Sequence, residues 1–164
     1  SWMDESMNNC PVDLGEFTQD EYWDYIIANV GRPPEYKSRL DHFFDEEMKV
    51  DQQVLKDVHH YHKYLKNCLL SNFSLDLREL LKKYWPINSA FDEILISSEI
   101  GKMKPQPQAF RHALDLLGCK PEETILVDDR QVNIDGANAY GIHGILFRNR
   151  QEMNRRISDV MNNQ

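Results

Sequence analysis

The sequence predicts an α/β protein in which helices cover a parallel sheet, preceded by a small all-helical unit. Three observations support this prediction. Short apolar runs alternate with helix-period segments from about residue 66 onward, the residues before them read as helices alone, and the charge changes at the same boundary. Residues 1–63 carry 14 acidic and 6 basic side chains, whereas residues 64–164 carry 13 of each. We therefore expect two units that meet near Tyr64.

Helix signals fill the first unit. Thr18 followed by Glu21 forms a capping box, in which each side chain satisfies a free backbone N–H, so we expect a helix over 18–30. A second helix is expected over 35–48, and Asp51 is the expected cap of a third. The apolar positions expected to share an inward face are Tyr22, Ile26 and Val30, then Leu40, Phe43, Phe44 and Met48, then Val54, Leu55, Val58, Tyr61 and Leu65.

Four short apolar runs in the second unit have the length of buried strands. Each is followed by a segment with helical periodicity, and this alternation implies right-handed crossovers and a parallel sheet. The predicted strands are Cys68–Leu70, Ile94–Ile96, Ile125–Val127 and Ile145–Phe147. Four helices are predicted. The first is capped by Ser74, the second runs from Pro107 to a stop at Gly118, and the third spans about 131–140 with a stop at Gly141. The fourth carries Met153, Ile157 and Val160.

Charge and composition exclude several classes of partner. The net charge of −8 and the pI of about 5.2 disfavour nucleic acid, which is bound through clustered Lys and Arg. No apolar run reaches the ~18 residues of a membrane span, and the first residues do not resemble a signal peptide, so we expect a cytoplasmic protein.

The three cysteines form no C-x-x-C pair and fit reduced thiols. His59 and His62 share a helical face without a completing ligand set, which favours solvated or packing histidines over zinc ligands.

Polar residues follow three of the four predicted strands, at the edge where an open parallel sheet binds its ligands. Ser71-Asn72 follows the first strand, Lys104 follows the second after a short loop, and Asp128-Asp129 follows the third. Adjacent carboxylates are costly to bury unless a cation offsets them, and Mg²⁺ prefers such oxygen ligands. Each residue also has a purely structural alternative: a turn at Ser71, a solvated Lys104, and an acidic cap for the helix near residue 131.

Three segments at these strand ends carry a resemblance to a known family. They are Leu70-Ser71-Asn72, Gly101-Lys102-Met103-Lys104-Pro105 and Val127-Asp128-Asp129-Arg130-Gln131-Val132-Asn133-Ile134-Asp135-Gly136-Ala137. In this order they resemble the second, third and fourth motifs of the haloacid dehalogenase-like hydrolase superfamily, over about residues 64–150. The resemblance implies a Rossmann-like core over 64–164 and a helical cap over 1–63, inserted after the first strand of the family's sheet.

The resemblance also implies a reaction and a role for each matching residue. Family members usually perform Mg²⁺-dependent phosphoryl transfer through an aspartyl-phosphate. Ser71 would then bind the transferring phosphoryl group with help from the Asn72 backbone amide, and Lys104 would bind that group together with the nucleophile. Asp129 would ligate Mg²⁺, Asp128 would be a second ligand or a partner of the ligands, and Asn133 would lie near the metal.

The family's first motif, a strand ending in Asp-x-Asp that supplies the nucleophile and the acid/base group, has no counterpart upstream of the helical unit. Asp4-Glu5 and Asp13 do not follow an apolar strand. In the family this strand lies mid-sheet, between the strands that bear the second and fourth motifs. We therefore expect a chain truncated at its N-terminus and inactive by itself, with unpaired strand edges through which it can self-associate.

The function expected from these residues is a Mg²⁺-dependent phosphatase of a small phosphorylated metabolite, with the nucleophile missing from this chain. The nearest alternative is a haloacid dehalogenase, which would work without a metal and whose branch lacks an acidic pair at the fourth motif. The other is a non-catalytic fragment that binds a phosphate, a metal or a protein partner. The substrate is set by the cap in this architecture and does not follow from periodicity.

Overall fold

The computed structural model describes residues 11–39, 42, 49–83 and 87–163 of the chain. Most of the predicted second helix, with Leu40, Phe43, Phe44 and Met48, lies outside these residues. No helix within the described ranges is long and apolar enough to cross a membrane.

Two helices of the first unit form where their caps predict them. Helix α1 spans Gln19–Asn29, and Thr18 and Glu21 form the complete capping box in front of it. Helix α2 spans Gln52–Tyr61, and one carboxylate oxygen of Asp51 accepts hydrogen bonds from the backbone N–H groups of the first turn. The predicted inward face of α1 is wrong at its end, because Val30 is exposed and Ile27 is the buried residue.

The second unit alternates strands and helices, as the apolar runs predict. The strands are β1 (Cys68–Ser71), β2 (Glu93–Ile96), β3 (Ile125–Asp128) and β4 (His143–Leu146). The helices are α3 (Leu77–Lys83), α4 (Ser97–Ile100), α5 (Pro107–Leu117), α6 (Gln131–Tyr140) and α7 (Arg150–Asn162). Strand β4 lies earlier than the predicted Ile145–Phe147, and the one-turn helix α4 is not predicted. Gly118 and Gly141 end their helices in the left-handed conformation, as predicted.

All strand pairing among the described residues is parallel, and it falls into two separate pairs. Strand β1 pairs with β2, and β3 pairs with β4. In register, Ser71 lies beside Ile96, and Asp128 lies beside Leu146. Strands β1 and β3 therefore each end at a polar residue, next to an apolar residue of the partner strand. No backbone ladder joins β1 to β3. Both strands instead line one cleft.

Helices cover both faces of the strand pairs, which confirms the predicted α/β architecture. Side chains alternate between the two faces of a strand. Leu70 and Leu126 pack with α5 and α6 through Phe110 and Ala137, whereas Leu69 packs with α3. Ile125 and Val127 pack with α7 through Met153 and Ile157. Thus α5 and α6 cover one face, and α3 and α7 cover the other.

Helix α2 of the first unit lies against α7 of the second. The Tyr61 hydroxyl donates to Asn154 Oδ1 over 3.0 Å, and Tyr61 packs on the cluster formed by β4 and α7. Asp57 accepts hydrogen bonds from the Arg150 guanidinium and from the Asn154 amide. The division of the chain into a cap over 1–63 and a core over 64–164 stays a prediction.

Candidate active site

The residues predicted to meet at the strand ends line one cleft. The cleft has a volume of about 960 Å³, and it is lined by β1, β3 and apolar side chains of the helices α2, α5 and α7. At the carboxyl ends of these strands it is lined by Ser71, Lys104, Asp128 and Asp129. A hydroxyl, an ammonium and two carboxylates therefore surround a common space, as expected of a ligand site at the edge of a parallel sheet.

The centre of this polar end is a buried ion pair. Lys104 Nζ lies 2.7 Å from Asp128 Oδ2, and the two side chains are only 10% and 6% exposed. The predicted alternative of a solvated lysine is therefore wrong. Because Lys104 follows α4 and Asp128 ends β3, the ion pair connects the β1–β2 pair to the β3–β4 pair.

Both oxygens of Asp128 are engaged. While Oδ2 meets Lys104, Oδ1 accepts from the Asn133 amide and from the Arg130 backbone N–H, each over 2.9 Å. Burial by itself would raise the pKa of Asp128, but the Lys104 charge and these donors outweigh it and hold the pKa below its usual value. Asp128 is therefore ionised at neutral pH and has little capacity left for a further ligand.

Asp129 differs from Asp128 in its exposure to solvent. It is exposed and lines the cleft. The alternative in which one of the two aspartates caps the following helix is not realised, because the residue before α6 is Arg130 and no side chain caps that helix. The two aspartates therefore have different environments: Asp128 pairs with Lys104, and Asp129 is an exposed residue of the cleft lining.

Asn133 supplies a buried oxygen beside this pair. The residue is 2% exposed, its Nδ2 donates to Asp128 Oδ1, and its own Oδ1 has no hydrogen-bond partner. A buried polar atom without a partner is costly, and its position beside the Asp128 carboxylate suits a cation or an additional donor. One carboxylate and one amide oxygen match part of the coordination that Mg²⁺ prefers, since this ion usually keeps waters and substrate phosphate oxygens as further ligands.

The described residues do not supply a complete metal site by themselves. They contain no group of three or more His, Cys, Asp or Glu side chains placed to hold a metal ion. The residues present therefore fit Mg²⁺ only as part of a set to which another carboxylate or a ligand contributes.

Asn72 makes contacts that the sequence did not reveal. Its side-chain amide forms two hydrogen bonds with the backbone of Lys104, 32 residues away along the chain. The next residue, Phe73, is held in turn, because its backbone N–H donates to the buried Ser97 hydroxyl over 3.0 Å. The loop over residues 101–106, between α4 and α5, carries Lys104 and is named the lysine loop. The end of β1 is thus tied both to the lysine loop and to α4.

Gly136 lies in the third quoted motif, but the sequence analysis gave it no role. A Cβ on this residue would lie 2.6 Å from Pro105 Cβ and 2.9 Å from the Pro105 carbonyl oxygen. Only glycine allows α6 to approach so closely to the residue that follows Lys104. The available signal was an isolated glycine inside a helical pattern, which often marks a close packing contact.

Comparison with known proteins agrees with this architecture. Residues 71–147 match the family described as haloacid dehalogenase-like hydrolase. A bifunctional epoxide hydrolase 2 of Rattus norvegicus is 30% identical over 106 residues, which are 62% of this chain and 19% of that protein. A glyceraldehyde 3-phosphate phosphatase of Methanopyrus kandleri is 44% identical over 63 residues, which are 38% of this chain and 27% of that protein.

Solved structures show the same fold. A HAD-like family hydrolase from Porphyromonas gingivalis superposes with a TM-score of 0.77 at 21% identity, covering 99% of this chain and 84% of the other. A HAD family enzyme from Bacteroides thetaiotaomicron, solved as a magnesium complex, superposes with a TM-score of 0.72 at 21% identity, covering 85% of this chain and 74% of the other.

The family match begins at Ser71, the last residue of β1, and includes the Lys104 and Asp128-Asp129 motifs and strands β2, β3 and β4. The chain matches the haloacid dehalogenase-like hydrolase family over residues 71–147 and has the fold of HAD-like hydrolases, which confirms the resemblance found in its motifs. It spans about a fifth to a quarter of the length of the curated relatives described above.

Proposed function

We propose that the chain supplies the phosphate-binding and metal-binding residues of a Mg²⁺-dependent phosphatase, which acts on a small phosphorylated metabolite through an aspartyl-phosphate. The observation that supports this most directly is the convergence of Ser71, Lys104, Asp128 and Asp129 on one cleft. The phosphatase relative supports the same reaction class. Phosphoryl transfer depends mainly on cations and donors positioned around the developing charge, and these side chains are of that kind.

Ser71 and Lys104 are the proposed phosphate-binding residues. Ser71 ends β1, so its hydroxyl is carried on a fixed strand end and can donate to a phosphoryl oxygen, with the Asn72 backbone N–H as a second donor. Lys104 already neutralises Asp128, and its ammonium has three N–H donors, of which one suffices for that contact. The remaining donors are available to the phosphoryl group and the attacking carboxylate.

Asp129 and Asn133 Oδ1 are the proposed protein ligands of Mg²⁺. Asp129 lines the cleft and Asn133 Oδ1 lacks a partner. Asp128, predicted as a second ligand or a partner, is assigned the second role because its two oxygens are engaged by Lys104, Asn133 and Arg130. When bound, Mg²⁺ would neutralise phosphoryl charge and polarise the phosphorus centre.

The nucleophile is proposed to come from a strand that fills the space between β1 and β3. Both strands line one cleft and bring their last residues, Ser71 and Asp128, to it, and each pairs on one side only among the described residues. A parallel strand in that position would pair with both and would end beside Lys104 and Asp129. Its first carboxylate would attack phosphorus, the second would protonate the leaving oxygen, and water would then hydrolyse the aspartyl-phosphate.

The test compares the 164-residue chain with the same chain extended before Ser1 by an apolar strand ending in Asp-x-Asp. Release of inorganic phosphate from a panel of phosphomonoesters is measured with Mg²⁺ and with a chelator. We expect turnover only by the extended chain and only with Mg²⁺. Lys104→Met should abolish it, while Lys102→Met, a matched change two residues away, should leave most of it.

The other outcomes identify the alternatives. Turnover by the 164-residue chain would show that the nucleophile lies within it and would overturn the strand proposal. Release of halide from 2-haloacids without a metal would indicate a dehalogenase. Binding of phosphate and Mg²⁺ by the extended chain without turnover of any ester would indicate a non-catalytic binding protein.

A further inference from the structure

The Asn72 side chain forms a closed pair of hydrogen bonds with one residue. Lys104 N–H donates to Asn72 Oδ1 over 2.9 Å, and Asn72 Nδ2 donates to the Lys104 carbonyl over 2.8 Å. Both backbone polar groups of Lys104 are therefore satisfied by a single side chain. The carboxamide acts as a backbone would in a ladder, and it joins the end of β1 to the lysine loop.

We propose that Asn72 is a positioning residue that sets the location of the Lys104 ammonium. The proposal rests on the proposed function, because it assigns a part in that reaction to a side chain that touches no reacting atom. The resemblance to the family places only the Asn72 backbone N–H near the phosphoryl group. The side-chain role follows instead from the contacts with Lys104.

Fixing the backbone of Lys104 has a consequence at the far end of its side chain. The ammonium meets Asp128 across the cleft, on the other strand pair. No ladder joins the two pairs, so the distance between Ser71 and the ammonium depends on how firmly the lysine loop is held to β1. Because Asn72 directly follows Ser71, its hydrogen bonds hold the lysine loop at the same strand end that carries the Ser71 hydroxyl. Both proposed phosphate-binding groups are therefore positioned by the end of β1.

Only a carboxamide of this length can make the contact. It needs one acceptor for an N–H and a donor on a separate atom for a carbonyl; an ionised carboxylate has no donor, and a hydroxymethyl group carries both on one oxygen. Asn72→Asp keeps the acceptor but sets a negative oxygen against the Lys104 carbonyl. Asn72→Ala removes both contacts and leaves two partly buried backbone groups without partners.

The chain offers a matched control at the opposite end of the same strand. Asn67 precedes β1, and its side-chain amide donates to two backbone carbonyls, those of Val58 and Ala90. Asn67→Ala therefore removes two side-chain-to-backbone hydrogen bonds, as Asn72→Ala does. A general loss of stability would appear in both variants, whereas a displaced Lys104 would appear only in the Asn72 variants.

The experiment measures the acetylation rate of individual lysines by competitive isotope labelling and mass spectrometry. It is performed on the 164-residue chain and on the chain extended by an Asp-x-Asp strand, at a temperature where circular dichroism shows each variant folded. Loss of two hydrogen bonds should raise the Lys104 rate about tenfold in Asn72→Ala and Asn72→Asp, relative to the Lys102 rate in the same sample. In Asn67→Ala the ratio should change less than about twofold.

Two results would overturn the proposal: an unchanged ratio in both Asn72 variants, or an equal rise in Asn67→Ala. Should Asn72→Ala fail to fold, Asn72→Asp, which has nearly the same volume, gives the comparison. Should both variants fail to fold, the test is an NMR measurement on the side-chain amide protons of Asn72 in the unmodified protein. Slow exchange and a scalar coupling across the hydrogen bond to the Lys104 carbonyl carbon are expected, and their absence would refute the contact.

A kinetic measurement on the extended chain separates this proposal from the proposed function. If the extended chain is a phosphatase, Asn72→Ala should lower kcat about 10-fold to 100-fold, as misplacement of a catalytic group does, with a smaller change in KM. Asn67→Ala should leave both constants nearly unchanged. If no ester is hydrolysed but Lys104 becomes reactive only in the Asn72 variants, the proposed function fails while the positioning of Lys104 by Asn72 stands.

Discussion

Lys104 Nζ and Asp128 Oδ2 lie 2.7 Å apart and form a buried salt bridge between two strand pairs that share no ladder. One partner belongs to the loop after α4, which Asn72 ties to β1, and the other ends β3. The bridge therefore joins the two halves of the sheet at the same place where the proposed phosphate and metal ligands meet. Stability and chemistry should respond together to changes at these residues.

Replacing Lys104 with Met should destabilise the protein by about 3 kcal/mol, because Asp128 would be left buried without its cation. Urea denaturation followed by circular dichroism measures the change. The double variant Lys104→Met/Asp128→Leu should be more stable than Lys104→Met alone, since it removes the unpaired charge. Lys102→Met is the control and should cost less than about 0.5 kcal/mol. Equal costs at the two lysines would contradict the importance of the bridge.

Local signals predicted much of the fold because they act within one turn or one strand. The capping box at Thr18, the Asp51 cap and the glycine stops at Gly118 and Gly141 all form as the sequence indicates. The four apolar runs became strands, but β4 begins at His143, where polar and small residues hide a strand edge from a search for apolar runs. Helix α4 has four residues, too few for periodicity to reveal it.

Contacts between residues far apart in the sequence could not be predicted at the site. The sequence identified Ser71, Lys104, Asp128 and Asp129 as residues of one edge, and the cleft contains all four. The pattern at the strand end did not show which aspartate is buried: Asp128 is buried in its ion pair with Lys104, and Asp129 is exposed. The bonds between Asn72 and Lys104 depend on how two loops 32 residues apart meet, which no local pattern encodes.

Replacing Gly136 with Ala should destabilise the protein by about 1–3 kcal/mol, although alanine is the better helix former. The new Cβ would lie 2.6 Å from Pro105 Cβ, so α6 or the lysine loop must move. Thermal unfolding measures the loss. Val132→Ala, at an exposed position of the same helix, is the control and should change stability by less than about 0.5 kcal/mol. A stabilised Gly136→Ala would show that the contact with Pro105 is loose.

The Cys68 thiol should react slowly with iodoacetamide at pH 8. Burial, with a smaller contribution from the nearby Glu93 carboxylate, raises its pKa to about 11, so little reactive thiolate is present. Its alkylation rate, followed by peptide mass spectrometry, should rise steadily from pH 8 toward pH 11. Cys68 also lines the cleft. An added Asp-x-Asp strand should therefore protect it further at every pH, and unchanged reactivity would argue against a strand in that cleft.

The contact between α2 and α7 should lose strength in acid. Hydrogen bonds from Arg150, against the opposing effect of burial, hold the pKa of Asp57 below its usual value of 3.8, and Asn154 adds a further donor. A carboxyl whose pKa is lowered by folding stabilises the protein above pH 3.8, and this contribution disappears as the pH falls through the folded-state pKa. Asp57→Asn should therefore reduce the free energy of unfolding by about 1 kcal/mol at pH 6.

The difference between the unmodified protein and Asp57→Asn should shrink as the pH drops below about 4, because the protonated carboxyl then resembles the amide. Asp159→Asn breaks an exposed pair with Arg155 on α7 and is the control, expected to cost less than about 0.5 kcal/mol. Urea denaturation between pH 3 and pH 7 measures both variants. A difference for Asp57→Asn that persists undiminished at pH 3 would mean that its cost comes from packing against Tyr61 and Asn154, and that the charge of Asp57 does not hold α2 on α7.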